Sequence, residues 1–331
     1  MGTVVISTDG SVKPTDPCMA LLRDAGFDPQ LLLDKRFAMG MGSDEETIKT
    51  LDGAVAVMAW GEQYTQNVLS SLPELRVVAR LGVGFDRVDI PAATANKKVI
   101  TVTPTANHEA VAEHALALIF ALAKSLVSGD KLMRQGQWPN ETRLPVRGKT
   151  LGVLGLGRIG RSLAVRALAM SMDVIATEPY PDQAFVDEHG IPLVDLDTTL
   201  ARSDFVSLHM PLSDITHGVM NKSSLAKMKK GSFLVNTARG GLIVEADLAE
   251  ALRTGHLGGA GLDVFEREPT ETDNPLYQLD NVIVCPHVAG NDLTAMQDMG
   301  TEAAQSIIDL SRGTWPELAV VNRDLKGQWR W

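Results

Sequence analysis

The sequence predicts an α/β protein with two doubly wound parallel-sheet domains. Its 331 residues are enough for about two domains, each with its own hydrophobic core. Short apolar runs alternate with helical patterns from the first residues onward, as they do in parallel sheets covered by helices. A glycine-rich segment typical of a second such sheet begins only at Thr150, after a complete α/β unit. We therefore treat the chain as two units of the same general kind.

The first part of the chain contains five predicted strands. Ser43 followed by Glu46 forms the S-x-x-E pattern of a capping box, so a helix is expected to begin there. Apolar runs predict the strands Thr3–Ser7, Leu31–Leu33, Ala54–Ala59, Val77–Leu81 and Val99–Val102, and helical patterns predict Pro17–Ala25, Ser43–Leu51, Thr65–Leu72 and Ile90–Lys97.

Three later segments set the predicted domain boundaries. His108–Ala123 is apolar almost all round, which is typical of a buried helix, and we expect it between two domains or two subunits. Gly129–Arg147 has little periodicity and is predicted to be an arm or a loop. Thr294–Leu310 is a long closing helix that is expected to cross back to the first domain, followed by the tail Pro316–Val321. The predicted domains are residues 1–103 with 291–331, and residues 104–290 with the interdomain helix 108–123.

The most informative pattern lies near the middle of the chain, in the segment TLGVLGLGRIG that begins at Thr150. An apolar run ends at Gly155, and Gly155, Gly157 and Gly160 form the pattern G-x-G-x-x-G. The first glycine permits a tight turn, the second a close approach to a pyrophosphate, and the third tight packing of a helix on its strand. The helix predicted from Arg158 onward would direct its free N–H groups at phosphates.

A second predicted strand, Asp173–Thr177, ends at Glu178, which lies 18 residues after Gly160 (178 − 160). An acid at this position suits a bidentate grip on a ribose diol. Together these features predict a dinucleotide site, the alternative being a glycine-rich turn in an unrelated α/β domain. Since a carboxylate repels a 2′-phosphate, and Pro179 and Tyr180 offer no cation to receive one, NAD is predicted over NADP.

Three short segments in the rest of the chain each follow a predicted strand and carry one ionisable side chain, Arg239, Glu268 or His287. The carboxyl ends of strands in an open parallel sheet face the ligand crevice, so these side chains are expected to converge beside a nicotinamide. The predicted strands are Phe205–Met210, Ser232–Asn236, Gly258–Val264 and Val282–Cys285, with helices at Asp197–Arg202, Ser223–Met228 and Glu245–Thr254.

The chemistry of these three side chains fits hydride transfer to a 2-oxo acid. Arg239 can hold a carboxylate by two parallel hydrogen bonds. His287 can donate a proton to the developing alkoxide, or remove it in the oxidation direction, and Glu268 beside it would favour the imidazolium form and orient the ring. Taken singly, Arg239 can instead form a surface salt bridge, His287 can be a core histidine, and Glu268 can be an exposed loop acid.

In order and spacing, the motifs resemble the D-isomer-specific 2-hydroxyacid dehydrogenase family, which includes phosphoglycerate dehydrogenases and glyoxylate/hydroxypyruvate reductases. The resemblance runs from about Val77 to His287. Besides the segments around the glycine loop, Arg239, Glu268 and His287, it includes Arg80–Asp86, Val111–Glu113, His209–Leu212 and Val320–Asn322.

The resemblance implies that Arg239, Glu268 and His287 are the catalytic residues and that the backbone at Val83 and Gly84 grips the substrate carboxylate. It implies a Rossmann NAD-binding domain inserted into a flavodoxin-like substrate domain, with a cleft between the domains, usually as a homodimer. The glycine motif and the resemblance together place cofactor contacts at Gly155, Gly157, Arg158, Ile159, Gly160, Glu178, His209, Pro211, Thr216, Thr237, Ala238, Asp263 and Gly290.

The identity of the 2-hydroxy acid is left open by the sequence. Phosphoglycerate dehydrogenases commonly carry an Arg-Ser pair where this chain has Ala59 and Trp60. A phosphate needs a cation, whereas Glu62 has the wrong sign. The Trp60 indole is expected either to close a small or apolar substrate pocket or to pack under its loop. These features disfavour 3-phosphoglycerate, and with the chain ending at Trp331 we expect no appended regulatory domain.

Two other functions remain to be distinguished. D-3-phosphoglycerate dehydrogenase activity is possible in principle because Arg134, Arg143 or Arg147 can reach a site from a partner subunit. An NADH-sensing scaffold, like the C-terminal-binding corepressors, would keep the same fold and catalytic residues without turnover. A panel of 2-oxo acids assayed with NADH separates these functions from a general D-2-hydroxyacid dehydrogenase.

The composition excludes several other classes of protein. Hydrophobic residues make up 44% of the chain and charged residues 22%, and the formal net charge is −10, so no nucleic-acid partner is expected. The longest apolar run, Ala115–Ala123, is too short to cross a bilayer, and the N-terminus lacks a signal-peptide pattern, so we expect a cytoplasmic location without a membrane partner. Cys18 and Cys285 show no metal-ligand spacing, so neither a disulfide framework nor a metal site is expected.

Overall fold

The chain forms two compact units in the computed structural model, which describes residues 1–331. The first unit contains residues 1–107 and 291–331, and the second contains residues 108–290. Each unit has one all-parallel sheet with helices packed on it, which confirms the predicted fold class. The chain passes from the first unit to the second between Asn107 and His108, where the sequence placed the boundary between residues 103 and 104.

The sheet of the first unit has five strands in the order β2-β1-β3-β4-β5, the flavodoxin-like order. The predicted strand Leu31–Leu33 is too short, because β2 begins at Phe27. The first four residues of β2, FDPQ, do not form an apolar run. Their proline is tolerated because this strand lies at the sheet edge. The strands are β1 (Gly2–Ser7), β2 (Phe27–Leu32), β3 (Ala54–Ala59), β4 (Val77–Arg80) and β5 (Val99–Thr101).

The helices of the first unit cover both faces of this sheet. Successive residues of β1 point to opposite faces: Val4 and Ile6 pack in a core with α1 and α13, and Val5 packs in a core with α3, α4 and α5. The predicted capping box of α3 is present, with the Ser43 and Glu46 side chains each accepting from the other's backbone N–H. The helices are α1 (Pro17–Asp24), α2 (Lys35–Ala38), α3 (Asp44–Leu51), α4 (Gln66–Ser71), α5 (Ile90–Ala95) and α13 (Leu293–Ser311).

The sheet of the second unit has six strands in the order β11-β10-β9-β8-β6-β7. The order reverses at the neighbouring strands β6 and β8, and the carboxyl ends of such a pair form the binding crevice of a doubly wound sheet. The strands are β6 (Thr150–Leu154), β7 (Asp173–Thr177), β8 (Phe205–Leu208), β9 (Phe233–Asn236), β10 (Gly259–Leu262) and β11 (Val282–Val284).

Seven helices surround this second sheet. The long apolar helix α6 packs within the second unit, against α8 and against strands β9 and β10. Its residues Ala112, Ala115 and Ile119 share a core with Leu151 and Leu163. The helices are α6 (His108–Lys124), α7 (Leu126–Arg134), α8 (Arg158–Ala169), α9 (Gln183–His189), α10 (Leu196–Arg202), α11 (Lys222–Lys227) and α12 (Glu245–Arg253).

Helix α7 corrects the prediction that Gly129–Arg147 is an arm or a loop throughout, because its residues up to Arg134 are helical. Ser125 adopts a left-handed conformation with φ 50° and ends α6, so that a new helix starts in a new direction. No residue of α7 is buried, and its apolar side chains Leu126, Val127 and Met133 are exposed. No single helix is long and apolar enough to cross a membrane; α6 and α7 would pass together on length and composition, but they meet at a 57° bend.

Candidate functional site

Each glycine of the G-x-G-x-x-G motif has a separate steric reason to lack a side chain. Gly155 turns the chain with φ +98°, and a Cβ there would lie 2.6 Å from the backbone nitrogen of Met210. A Cβ at Gly160 would overlap the carbonyl oxygen of Gly155, so α8 packs directly on the loop. Only Gly157 faces open space, with nothing within 4 Å of a built Cβ. This open face next to the N-terminus of α8 is where a pyrophosphate fits.

Glu178 lies beside this glycine loop at the end of β7. Its Oε2 accepts a hydrogen bond of 2.8 Å from the backbone N–H of Leu156, and its Oε1 accepts one of 2.9 Å from Tyr180. The carboxylate is thus fixed against the loop that would hold the phosphates. Arg158 is exposed and Ile159 half-buried at the start of α8. Because these hydrogen bonds already hold the side chain in place, binding of a ribose diol costs little further conformational entropy.

The segment after β8 contains three predicted cofactor residues. The His209 Nε2 bonds the Ser207 hydroxyl at 2.8 Å, whereas its Nδ1 is shielded from solvent and has no hydrogen-bond partner. Burial lowers the pKa of His209 to about 4, so the ring is neutral at physiological pH. Pro211 is exposed, and its carbonyl oxygen accepts from the hydroxyl of Thr216 at 2.7 Å. This hydrogen bond closes a compact loop at the carboxyl edge of the sheet.

Arg239 lies in a turn whose backbone is hydrogen-bonded to the side chain of a buried asparagine. Asn236, at the end of β9, has no exposed surface; its side chain donates to the Arg239 carbonyl at 2.8 Å and accepts from the Ala238 N–H at 3.0 Å. The buried hydroxyl of Thr237 has no hydrogen-bond partner. A Cβ at Gly240 would overlap the backbone of Phe265, so this turn packs directly on the segment that follows β10. The sequence pattern did not reveal this role of Asn236.

His287 and Glu268 form a hydrogen-bonded pair at the same edge of the sheet. The Nδ1 of His287 lies 2.7 Å from the Oε2 of Glu268. The other carboxylate oxygen of Glu268 accepts from the backbone N–H of Phe265 at 3.0 Å, so the acid is fixed before it meets the ring. Because a carboxylate only accepts hydrogen bonds when ionised, Nδ1 carries the proton and Nε2 is the nitrogen available for proton exchange. The His287 side chain is 49% exposed and that of Glu268 is 22% exposed.

Asp263 holds the backbone that carries His287. Its carboxylate accepts from the N–H groups of Val288 at 2.9 Å and Ala289 at 2.8 Å, and its carbonyl accepts from the N–H of His287 at 2.8 Å. These bonds keep His287 in the left-handed region, with φ 56°, which is uncommon for a residue other than glycine. Asp263 itself is completely buried. Gly290, which ends this segment, is half-buried.

Two further residues, which sequence reasoning did not connect with the site, surround Asp263. The Nε2 of His114 lies 3.8 Å from the Oδ1 of Asp263, and one donor atom each from His114, Asp263 and Cys285 lie within 4.8 Å of one another. Burial first, and then the charge of Asp263, raises the pKa of the Cys285 thiol. Since both carboxylate oxygens of Asp263 already accept backbone N–H groups, its observed role here is to anchor the His287 segment.

The predicted substrate residues Trp60, Val83 and Gly84 belong to the first unit, in the segments that follow β3 and β4. Trp60 is half-buried and packs against the core that contains α1 and α13. Val83 and Gly84 are also half-buried. Gly82, before them, adopts φ +140° and donates its N–H to the Thr103 hydroxyl at 2.9 Å. Both segments lie at the carboxyl edge of their own parallel sheet.

The residues of the second unit fit a dinucleotide. The open face of Gly157, the anchored carboxylate of Glu178 and the free helix N-terminus of α8 match the pyrophosphate and ribose. The unpartnered Nδ1 of His209 and hydroxyl of Thr237 are buried polar atoms that a ligand can satisfy. Together with the hydrogen-bonded pair formed by Glu268 and His287, they define a dinucleotide-binding α/β protein with a carboxylate and an imidazole at the carboxyl edge of its sheet.

The chain is similar to several known proteins. The sequence model of the D-isomer specific 2-hydroxyacid dehydrogenase, NAD binding domain, matches residues 116–289. D-3-phosphoglycerate dehydrogenase of Mycobacterium leprae is 44% identical over 242 residues, covering 72% of this chain and 46% of that protein. Glyoxylate reductase of Thermofilum pendens is 36% identical over 293 residues, covering 86% of each chain. The crystal structure of the TT0316 protein from Thermus thermophilus is 34% identical, covers 96% of this chain and 100% of that chain, and gives a TM-score of 0.85.

The chain belongs to the D-isomer specific 2-hydroxyacid dehydrogenase family, and its second unit is the NAD-binding domain of that family. The resemblance inferred from the sequence motifs is thereby confirmed. The chain spans about half the length of the D-3-phosphoglycerate dehydrogenases that it matches, at 46%, but most of the glyoxylate reductase, at 86%.

Proposed function

We propose that the protein is an NAD-dependent D-2-hydroxyacid dehydrogenase that reduces a small 2-oxo acid. The observation that carries this proposal is the 2.7 Å hydrogen bond between His287 and Glu268, on a segment whose backbone is fixed by Asp263. An acid–base pair of this kind next to an NAD-binding loop is suited to move the proton that accompanies hydride transfer. Family membership supports the same activity.

The proposed mechanism assigns one task to each side chain. NADH, when bound, supplies the hydride that reduces the carbonyl carbon. His287 donates a proton from Nε2 to the substrate oxygen, while Glu268 holds Nδ1 and thus orients the ring. Arg239 binds the substrate carboxylate, and the turn built on Asn236 presents it. In the oxidation direction, Nε2 accepts the proton from the substrate hydroxyl.

In the first unit, we propose that the N–H groups of Val83 and Gly84 bind the substrate carboxylate. Gly82, with its φ of +140°, turns the chain at this point, and its carbonyl accepts from the Thr103 N–H at 2.9 Å. Two successive N–H groups in a turn of this kind form a concave site for an anion. The role of Trp60 is to close the pocket, which favours a substrate without a phosphate group.

NAD is proposed as the working cofactor in preference to NADP. The support is Glu178, whose carboxylate is fixed by the N–H groups of Leu156 and Tyr180. A carboxylate in this position accepts hydrogen bonds from the 2′-hydroxyl of NAD but repels a 2′-phosphate. A higher kcat/KM with NADPH than with NADH, measured on the best substrate, would contradict this proposal.

D-3-phosphoglycerate dehydrogenase is the second candidate function, because relatives with that name are 44% identical over 242 residues. Against it, Arg134 and Arg143 form exposed salt bridges with Asp130 and Glu141. These ion pairs are weak and can be exchanged for a phosphate, so the candidate needs an experiment.

A substrate screen tests both candidates. Purified protein and NADH are mixed with glyoxylate, hydroxypyruvate, phosphohydroxypyruvate, pyruvate and bulkier 2-oxo acids, and oxidation of NADH is followed by absorbance. We expect the highest kcat/KM with a small unphosphorylated acid. A preference for phosphohydroxypyruvate would favour the second candidate, and tight NADH binding without any turnover would favour the scaffold.

We also propose that the protein is a homodimer of the cytoplasm. Helix α7 exposes Leu126, Val127 and Met133, and the Trp138 side chain after it is 84% exposed. A second copy of the chain would cover these apolar groups. Both cysteines are free, which is consistent with a reducing compartment. Light scattering after size exclusion should give twice the chain mass of 35.6 kDa, and Trp138→Ser should lower that mass.

A further inference from the structure

Glu62 is a buried carboxylate in the loop after β3, and the proposed mechanism does not use it. Only 1% of its surface is exposed. One carboxylate oxygen, Oε2, accepts from the backbone N–H of Trp60 at 2.8 Å, and the other has no hydrogen-bond partner. Burial raises its pKa to about 7, against the opposing effects of Arg80, of the backbone N–H groups of Glu62 and Trp60, and of Arg87. An acid is rarely buried in this way without a role.

The charged and titratable groups around Glu62 connect two loops. Arg80, at the end of β4, is 9% exposed, and its Nε donates to the Gly84 carbonyl at 3.2 Å. Arg87 donates from Nη1 to the carbonyl of Gly61 at 2.8 Å. Tyr64 is completely buried, and its pKa is raised first by burial and then by the charge of Glu62. Two cations and one neutral phenol therefore face the carboxylate.

The loop that carries Trp60 has a fixed path. The N–H of Gly61 donates to the Ala38 carbonyl at 2.8 Å, and a Cβ at Gly61 would overlap that same carbonyl group. The neighbouring segment after β4 is attached to it, since the N–H of Leu81 donates to the Ala59 carbonyl at 2.9 Å. The segments after β3 and β4 are therefore joined by a backbone hydrogen bond close to Glu62.

We propose that Glu62 is a positioning residue for substrate binding, which anchors Trp60 directly and, through Arg80, the loop that presents Val83 and Gly84. The ionised carboxylate attracts Arg80, and Arg80 holds the carbonyl of Gly84. Substrate affinity therefore depends on the ionisation of a group that does not touch the substrate. This inference rests on the proposed function, because Val83, Gly84 and Trp60 are substrate residues only under that proposal.

The kinetic test compares Glu62→Gln with the wild type and with Glu74→Gln, which removes an exposed carboxylate before β4. The glutamine keeps an oxygen for the Trp60 N–H but cannot carry the charge. We expect KM for the 2-oxo acid to rise about tenfold at pH 8, as for one weakened charge-assisted contact, with kcat within about twofold and unchanged NADH affinity. Glu74→Gln should behave as the wild type.

The pH dependence separates positioning from a merely structural role. At pH 6 Glu62 of the wild type is mostly protonated, since its pKa is about 7. The ratio of KM between Glu62→Gln and the wild type should therefore fall from about ten at pH 8 to about two at pH 6. A ratio that is independent of pH, or that equals the ratio for Glu74→Gln, would overturn the proposal.

Hydrogen exchange tests the inference separately from catalysis. Peptides that cover residues 60–63 and 81–84 should exchange faster in Glu62→Gln than in the wild type, while peptides that cover β6 should not change. If the variant does not fold, the wild type alone serves, because protection of the same peptides should change between pH 6 and pH 8 after correction for intrinsic exchange, while protection of the β6 peptides should not. Equal protection would overturn the proposal, even if no 2-oxo acid were turned over and the proposed function had failed.

Discussion

Glu268 and Glu62 follow parallel strands in different units, and each lies near a nitrogen-containing side chain, yet their surroundings differ. The Glu268 side chain is 22% exposed and bonds the half-exposed ring of His287. Glu62 is 1% exposed, beside Arg80, which is 9% exposed. A group that exchanges protons with a substrate must be accessible to that substrate, whereas a fully buried carboxylate can affect only the groups packed around it. The comparison thus separates Glu268, the proposed partner of a reachable acid–base ring, from Glu62, the proposed buried anchor of two loops.

The hydrogen-bond partners of the two carboxylates also differ. Glu268 accepts one backbone bond, from Phe265, and keeps its second oxygen for His287. Glu62 accepts from the Trp60 backbone and leaves its second oxygen enclosed with two cations nearby. An exposed pair gains little stability from its charges, whereas a buried charge changes stability with pH. Kinetic changes should therefore dominate at Glu268, and changes in folding stability should dominate at Glu62.

The largest effect is expected for His287→Ala. Removing the acid–base group should lower kcat about 10³-fold, because general acid–base catalysis commonly contributes 10²- to 10⁴-fold. The affinity for NADH, measured by fluorescence titration, should stay within about twofold. His189→Ala is a suitable control, because His189 bonds only the Phe185 carbonyl within α9. Near-normal turnover of His287→Ala would contradict the assignment and remove the basis of the comparison.

The second prediction concerns stability at Glu62. With a pKa of about 7 instead of the ordinary 4.5, the folded protein keeps a proton on Glu62 that the unfolded chain releases. The contribution of Glu62 to stability is therefore fully present below pH 4.5 and is lost as the pH rises through 7. Between pH 4.5 and 8, the free energy of unfolding of the wild type should fall relative to Glu62→Gln by up to about 3 kcal/mol.

Urea titrations at several pH values measure this difference, with tryptophan fluorescence as the signal. In a Trp138→Phe background, every remaining tryptophan reports on the first unit: Trp60, Trp315, Trp329 and Trp331. The same measurement on Glu268→Gln should show no comparable slope. Equal pH dependence of the two glutamine variants would mean that burial does not distinguish the two acids.

The third prediction is that Glu268→Gln lowers kcat about 30-fold, less than His287→Ala, since losing an orienting partner commonly costs 10- to 100-fold. The ring remains, but the glutamine has one acceptor oxygen for the two donors, the Phe265 N–H and His287 Nδ1, so the ring is held less firmly. In the double variant with His287→Ala, Glu268→Gln should add almost no further loss, because the two side chains act as one unit. Additive losses, measured as kcat in a double-mutant cycle, would show that Glu268 acts independently of His287.

Local sequence rules were sufficient for most of the fold. The capping box at Ser43 and the glycine motif at Gly155 depend on a few neighbouring residues, so a pattern identifies them. The helix α7 was missed because Gly129 lies inside it and Ser125 interrupts the long helical pattern before it, and both residue types are typical of loops. The true length of β2 was missed because its apolar run covers only the last part of the strand, and the edge position of β2 is what makes Pro29 acceptable.

In the candidate site, too, local patterns identified some residues, whereas residues that act through tertiary contacts were missed. Arg239, Glu268 and His287 were found because each follows a strand, and strand ends of a parallel sheet share one edge. The supports of the site, Asn236 and Asp263, depend on which backbone N–H groups face them, and that information is absent from spacing. Glu62 was judged only by the sign of its charge, because a glutamate in a loop is normally exposed and nothing in the sequence shows its burial.

The smallest effect is expected for a substitution of Glu178. This third acid also lies at a strand end and is intermediate in character between Glu62 and Glu268. Its carboxylate is fixed by backbone N–H groups, yet it is expected to contact the cofactor. Glu178→Gln removes the charge that repels a 2′-phosphate and leaves one oxygen for the two backbone N–H groups, so the ratio of kcat/KM for NADH over NADPH should fall about tenfold. Glu188→Gln, an exposed change on α9, should leave the ratio unchanged. If Glu178→Gln also leaves it unchanged, the charge of Glu178 does not decide the choice between NAD and NADP.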